Sequence, residues 1–366
     1  MGGAKAPPAK MKVEFDESKF GLLLFSRGRG RGHAVPDMAI VEELQKIRDD
    51  VEVRFVSYGT GAATLAERGY PVIDLGLPEA NPALETIVLA AQVIGSLEPH
   101  LVVAHEEFAA MPAAKIFGLP TVMITDWFKE PNAYSMQTLG YADEVIFLGE
   151  PGGFEEPGQA KGRVRYVGQV MCDFEYSPAD RARAREELGF EESAAVVLVL
   201  PGSWTEEKVP CCELILAAFD ELPRENKALI WIAGADHEAI SRRTEGMANV
   251  VVKESDWQID RLMAASDAAI TKSTRKTASE LAYFGVPLIA LTHGLNPIDD
   301  QAMRNRPSAH LMPAGEADGQ ALAREIEKAL EQGISRETAG SGQPLRSGRR
   351  QAAELLAQQI ANLNAS

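Results

Sequence analysis

Cysteine is scarce: three in 366 residues, two of them adjacent at Cys211 and Cys212, too few for a disulfide framework. That scarcity predicts a reducing compartment, with the cytoplasm as the expected location. Histidine is thin too. Six are scattered along the chain, no Cys/His spacing fits a ligand set, and no metal is expected. Basic residues fall short of acidic ones, 37 against 53, which leaves a formal charge of -16. This balance excludes a general nucleic-acid binder, which needs a basic face to release counterions. It also argues against broad adhesion to an anionic membrane. No apolar run reaches the roughly 18 residues of a membrane span, so no transmembrane helix is expected. The opening "MGGAKAPPAKMKVEFDESKF" holds no apolar stretch of signal-peptide type and reads as a disordered tail over 1–20.

What the chain does have is alternation. Strand-like runs "GLLLFS", "VEVRFVSY", "PVIDLG", "PHLVVA", "PTVMIT", "EVIFLG" and "RVRYVG" are separated by helical patterns such as "VPDMAIVEELQKIRD" and "ETIVLAAQVIGSL". That rhythm implies βαβ units and a parallel sheet. It breaks at "GQVMCDFEYSPADRARAREELG" and restarts with "AAVVLVLPGS", "KALIWIAG", "NVVVKES", "DAAITKS" and "VPLIALTHG". The expected fold is therefore α/β with two Rossmann-like domains, at 21–170 and 180–345, joined by a linker at 171–179. An amphipathic helix over 346–366 is expected to be able to pack back on the first domain. Ligands of doubly wound sheets bind beyond the carboxyl ends of the strands, so two such domains face to face would enclose a central cleft, and the loops after the strands are the candidates.

The first candidate loop is "SRGRGRGHAVP", Ser26 to Pro36. Its glycines permit positive φ and close ligand approach ahead of a helix start, but their spacing does not fit the dinucleotide fingerprint. Gly30, Arg31 and Gly32 line it, and His33 at its end has a pKa suited to a general base; capping the helix is an equally weighted role for it. In "PHLVVAHEEF", a carboxylate, Glu106 or Glu107, could orient that base by triad logic. At least one of the two is expected instead in the first turn of the next helix. In the second domain, Gly202 and Ser203 could approach a phosphate. Lys272, Ser273, Thr274, Arg275, Lys276 and Thr277 gather hydroxyls and cations at a helix start, an anion-site composition. Glu280, about two turns into that helix, could accept hydrogen bonds from a ribose diol, and Asp300 and Gln301 follow a later strand. Arg27, Arg29 and Arg31 point either to an acidic acceptor or to salt bridges with Glu42 and Glu43 of the following helix.

In this order the loops resemble the GT-B glycosyltransferases, in the branch of the peptidoglycan N-acetylglucosaminyltransferase and the UDP-dependent glycosyltransferases. The matches are G-H-x-x-P at Gly32-His33-Ala34-Val35-Pro36, then Thr277, Glu280, Gly285 and Pro287 in the donor-site pattern, then the Asp300-Gln301 pair. The resemblance implies metal-independent transfer of a sugar from a nucleoside-diphosphate sugar, with UDP as the nucleotide, to an acceptor hydroxyl. His33 would be the base, with Glu106 behind it. Gly202, Ser203 and the Lys272–Thr277 loop would hold the diphosphate, Glu280 the ribose, Asp300 and Gln301 the sugar, and the stretch from Lys253 to Trp257 the uracil. The nucleotide-sugar is then a substrate, and no cofactor is implied. Arg275 and Lys276 depart from the family's glycine-bearing donor loop, which leaves room for a catalytically silent nucleotide- or sugar-binding homologue. A sugar-nucleotide epimerase is the lower-ranked alternative.

Overall fold

The computed structural model describes residues 14–78, 83–128, 133–152, 155–201, 208–247, 249–292, 300, 303–304, 309–334 and 347–365. The chain forms two units. The first runs up to Cys172 and is completed by the segment from Ser347 onward; the second is Asp173–Arg346.

The first unit holds strands β1 (Phe20–Ser26), β2 (Val51–Ser57), β3 (Val72–Asp74), β4 (Leu101–His105), β5 (Thr121–Thr125), β6 (Glu144–Phe147) and β7 (Val164–Tyr166). Helices α1 (Ala34–Ile47), α2 (Gly59–Glu67), α3 (Ala83–Leu97), α4 (Ala110–Ile116) and α5 (Tyr134–Thr138) lie between them. All pairings are parallel, in the order β3-β2-β1-β4-β5-β6-β7. β1 is buried along its whole length, as a central strand covered on both faces must be, and so it reads as an unbroken apolar run.

The second unit repeats the plan with β8 (Ala195–Leu200), β9 (Lys227–Ile232), β10 (Val250–Lys253), β11 (Ala268–Lys272), β12 (Leu288–Thr292) and β13 (Ala309–Pro313), in the order β10-β9-β8-β11-β12-β13. Its helices include α6 (Arg181–Leu188), α7 (Lys208–Glu221), α8 (His237–Arg243), α9 (Ile259–Ala265), α10 (Arg275–Tyr283) and the helix Gly319–Ile334. Alternate residues of β8 serve opposite faces. Val197 and Val199 join α7 and the Gly319–Ile334 helix, while Val196 and Leu198 join α9 and α10. β13 falls on "AHLMP", a stretch absent from the strand-like runs of the sequence.

The segment read as a linker is divided between the units. Met171 N–H donates to Ser347 Oγ at 3.1 Å within the first. Glu175 and Tyr176 N–H donate to Asp260 Oδ2 at 2.6 and 2.9 Å within the second. The final helix, Arg349–Asn364, packs on α1 of the first unit and buries Ala352, Ala353, Leu356, Ala357 and Ile360. It enters through Gly348, where a Cβ would stand 2.0 Å from the Val167 carbonyl oxygen.

Candidate functional site

Both sheets reverse direction of strand order beside their first strand, between β1 and β4 and between β8 and β11. Such switch points are where open α/β sheets bind ligands. The candidate residues fall at these two places, and each is described within its own unit.

At the first, the chain leaves β1 through Arg27 and Gly28. Gly28 is required by close approach, since a Cβ there would lie 2.1 Å from the Tyr58 carbonyl oxygen. Gly30 is required by its φ of 67°; Gly32 is exposed. His33 occupies the N-cap position of α1, but its side chain makes no cap bond. Instead Nε2 meets Glu106 Oε2 at 3.1 Å. Capping is therefore not what the imidazole does.

Glu106 sits at φ 53° just past β4, where it bridges back to Ser26. It also accepts from Thr125 Oγ1 at 3.0 Å and the Asp126 N–H at 3.4 Å, with Arg27 3.6 Å away. Complete burial alone would raise its pKa. The hydrogen bond and charge of His33, with His105, outweigh burial and hold the carboxyl well below the ordinary range. The expectation that Glu106 or Glu107 belongs to the first turn of a helix is not met, because α4 begins only at Ala110. Glu107 instead accepts from Tyr58 OH at 2.9 Å, and burial pushes its pKa up.

Sequence reasoning missed a second buried pair. His105 Nδ1 lies 2.7 Å from Asp37 Oδ1, and both residues are almost fully shielded from solvent. Burial alone would lower the His105 pKa, but Asp37, together with Glu106 and Asp126, outweighs it and raises the pKa. The His33 and His105 rings meet edge to face, their centroids 4.8 Å apart. A histidine at a strand end and an aspartate one turn into α1 were the available signals, but no local spacing joins residues 68 apart. Among the described residues, the contacts of the arginines do not include the salt bridges to Glu42 or Glu43 that were one of the two alternatives. Arg31 pairs with Glu67 at 3.1 Å and Arg27 with Glu106, whereas Glu42 accepts from Tyr70 and Glu43 pairs with Lys46. Arg29 is exposed.

At the second switch point, β11 ends in Lys272 and the chain enters α10 through Thr274. Thr274 is extended at the N-cap, and its hydroxyl makes no bond to the helix. Ser273 Oγ donates to Asp300 Oδ1 at 2.5 Å, which joins two loops read separately from sequence. Arg275, Lys276 and Thr277 form the first turn of α10 and are half-buried. Glu280, one turn on, is buried, and burial pushes its carboxyl pKa up. Among the described residues its one ion-pair neighbour is Lys276, at 3.9 Å. Lys253 ends β10 and pairs with Asp256 at 2.7 Å; Asp256 also accepts from the Gln258 N–H and lies 3.4 Å from Arg261. Trp257 is half-buried in that turn. Gly202, Ser203 and Gln301 lie outside the described residues.

Among the described residues no group of three or more His, Cys, Asp or Glu could hold a metal ion. Nor is any helix long and apolar enough to cross a membrane.

The family model described as lipid-A-disaccharide synthetase matches residues 142–302. A UDP-N-acetylglucosamine--N-acetylmuramyl-(pentapeptide) pyrophosphoryl-undecaprenol N-acetylglucosamine transferase from an Exiguobacterium species is 23% identical over 338 residues, covering 85% of this chain and 91% of that protein. Of solved structures, MurG from Acinetobacter baumannii matches with a TM-score of 0.60 at 15% identity, covering 93% of this chain and 99% of that one. The UDP-GlcNAc 2-epimerase from Neisseria meningitidis bound to UDP-GlcNAc matches equally, at 0.60 and 14% identity, over 93% and 100%. The likeness to solved structures gives the fold, and the sequence relatives give the kind of enzyme. The fold is that of the GT-B glycosyltransferases, and the sequence is similar to the peptidoglycan N-acetylglucosaminyltransferases and, over 142–302, to the lipid-A-disaccharide synthetases.

Proposed function

We propose that the chain transfers a sugar, N-acetylglucosamine in the first instance, from its UDP conjugate to an acceptor hydroxyl without a metal ion. The observation that carries this reading is the 3.1 Å contact between His33 and Glu106 at the carboxyl ends of β1 and β4. With Nε2–H donated to Glu106, the imidazole is held as one neutral tautomer, its lone pair on the other ring nitrogen. As the acceptor oxygen attacks the anomeric carbon, the bond to the diphosphate breaks, UDP departs and the acceptor proton passes to His33. Glu106 then faces an imidazolium, the charge its ionised form suits. Glu280 would accept from the ribose hydroxyls, and Ser273, Thr274, Thr277 and the first amides of α10 would hold the diphosphate. Lys272, Arg275 and Lys276 would offset charge on the leaving group, the role a metal ion otherwise fills. Gly202 and Ser203 would add to the phosphate contacts, and Asp300 and Gln301 would reach the sugar. Lys253 to Trp257 would present backbone to the base.

The fold match to an epimerase supports one alternative, isomerisation of the sugar while it stays on UDP. Incubation with UDP-N-acetylglucosamine separates the readings. Release of UDP with free or transferred sugar is expected. A UDP-linked epimer without UDP release would replace the transferase with an epimerase. An intact donor, with a thermal shift on UDP alone, would replace it with a nucleotide-binding protein.

A further inference from the structure

We propose that Asp37 and His105 are positioning residues that fix the imidazole of His33; this rests on the reading of His33 as the base. Two elements meet here through crossed pairs. The start of α1 supplies His33 at the N-cap and, one turn later, Asp37; β4 supplies His105 as its last residue, with Glu106 just past it. The helix histidine meets the strand carboxylate at 3.1 Å, and the helix carboxylate meets the strand histidine at 2.7 Å. Backbone bonds fix each side of the pair: the Asp37 N–H donates to the His33 carbonyl at 3.1 Å within the first turn of α1, and the Arg27 N–H donates to the His105 carbonyl at 3.2 Å, holding the end of β4 to the loop after β1.

Glu106 alone anchors His33 at one nitrogen and leaves its ring free to turn about that point. The His105 ring, 4.8 Å away at 76°, supplies the second point of support. His105 can do so only if its own ring is fixed, which is what the Asp37 contact does.

Stability does not account for this second pair. An apolar pair of similar size would hold α1 to β4 at least as well as a buried acid and histidine. Moreover, Asp37 Oδ2 is buried without a partner, as is Ser26 Oγ, whose residue is paired in register with His105. A half-satisfied buried carboxylate is a cost that packing would remove. Orientation of the one histidine it supports is the return.

The test is a double-mutant cycle read by UDP release from UDP-N-acetylglucosamine, with UDP affinity measured by calorimetry. Asp37→Ala is expected to lower turnover about 10²-fold, to leave UDP affinity unchanged, and to add nothing to the loss caused by His33→Ala. Asp37→Asn, which can still accept from His105 Nδ1–H, should recover most of that loss. An equal loss from Asp37→Ala in the His33→Ala background would make the pair structural and overturn the proposal, as would unchanged turnover in Asp37→Ala. Should Asp37→Ala fail to fold, His105→Gln takes its place with the same expectations. If His33→Ala keeps full turnover, the base assignment falls, and imidazole 15N spectra then decide the positioning claim. They should show one Nε2–H tautomer for His33 in the parent and a mixture in Asp37→Ala, and an unchanged spectrum would overturn the proposal.

Discussion

The two switch points occupy equivalent places in two sheets of like order, yet they treat buried acids in opposite ways. In the first unit Glu106, Asp37 and Glu107 each have a donor from another element: His33, His105 and Tyr58. In the second, Glu280 is equally buried, but its nearest cation is 3.9 Å away. A group that must hold a base in one orientation is best given its donor in advance, since reorganisation during the reaction is what preorganised sites avoid. A group that must bind a ligand is best left short of partners, so that the ligand supplies them. On the proposed reading, the difference separates a site built to act from a site built to be filled.

The sharpest way to break this comparison is to remove the base. His33→Ala should reduce turnover by about 10² to 10⁴-fold while UDP affinity, which the proposal gives to the other unit, stays constant; a loss of UDP binding in calorimetry would dissolve the division of labour. Next in size is Glu280→Ala, which should weaken UDP binding by roughly 10- to 150-fold, the equivalent of losing about 1.5–3 kcal/mol of hydrogen bonding to a charged group. Unaltered affinity would take the ribose role from Glu280.

The smallest effects test the contrast through stability and have opposite signs. Glu106 has a folded pKa below its ordinary value near 4.5, so its contribution is present above that value and is lost as pH falls through the lower folded one. Glu106→Gln should therefore lower the melting temperature at pH 7, on the order of 5 °C, and the gap to the parent should narrow in acid. Glu280 has a folded pKa above its ordinary value, so its charged form opposes folding above that value. Glu280→Gln should raise the melting temperature at pH 7 by a few degrees, about 1 kcal/mol, in the absence of nucleotide. Differential scanning calorimetry of both variants at pH 4 and pH 7 checks the pair, and shifts of the same sign would mean that the two acids are not built differently.

Much of this was legible in the sequence. Central strands such as Gly21–Ser26 and Ala195–Leu200 are continuous apolar runs because helices cover both faces, and the residues after them mark the loops. The partnership of His33 with Glu106 could be reasoned out because a base needs a carboxylate and a neighbouring strand end offers one. The Asp37–His105 and Tyr58–Glu107 pairs could not, since their partners are brought together by sheet register rather than by spacing. The Arg31 partner lay outside the salt-bridge alternative for a related reason. Glu42 and Glu43 are closer along the chain, but Glu67 lies where α2 brings it to the loop. The helical placement of Glu106 or Glu107 failed because an acidic pair before an alanine-rich stretch has the composition of a first turn, and composition carries no information about a φ of 53°.

The helix Arg349–Asn364 gives the chain an order of maturation. It covers the face of α1, the helix at whose start His33 stands. A ribosome delivers the strands of the first unit early, but α1 keeps an uncovered apolar face until the whole second unit and this last helix have been made. Domains tend to fold in the order of synthesis; here the first unit is completed only after the second has been made. The histidine-bearing loop thus gains this support only after the second unit has been made.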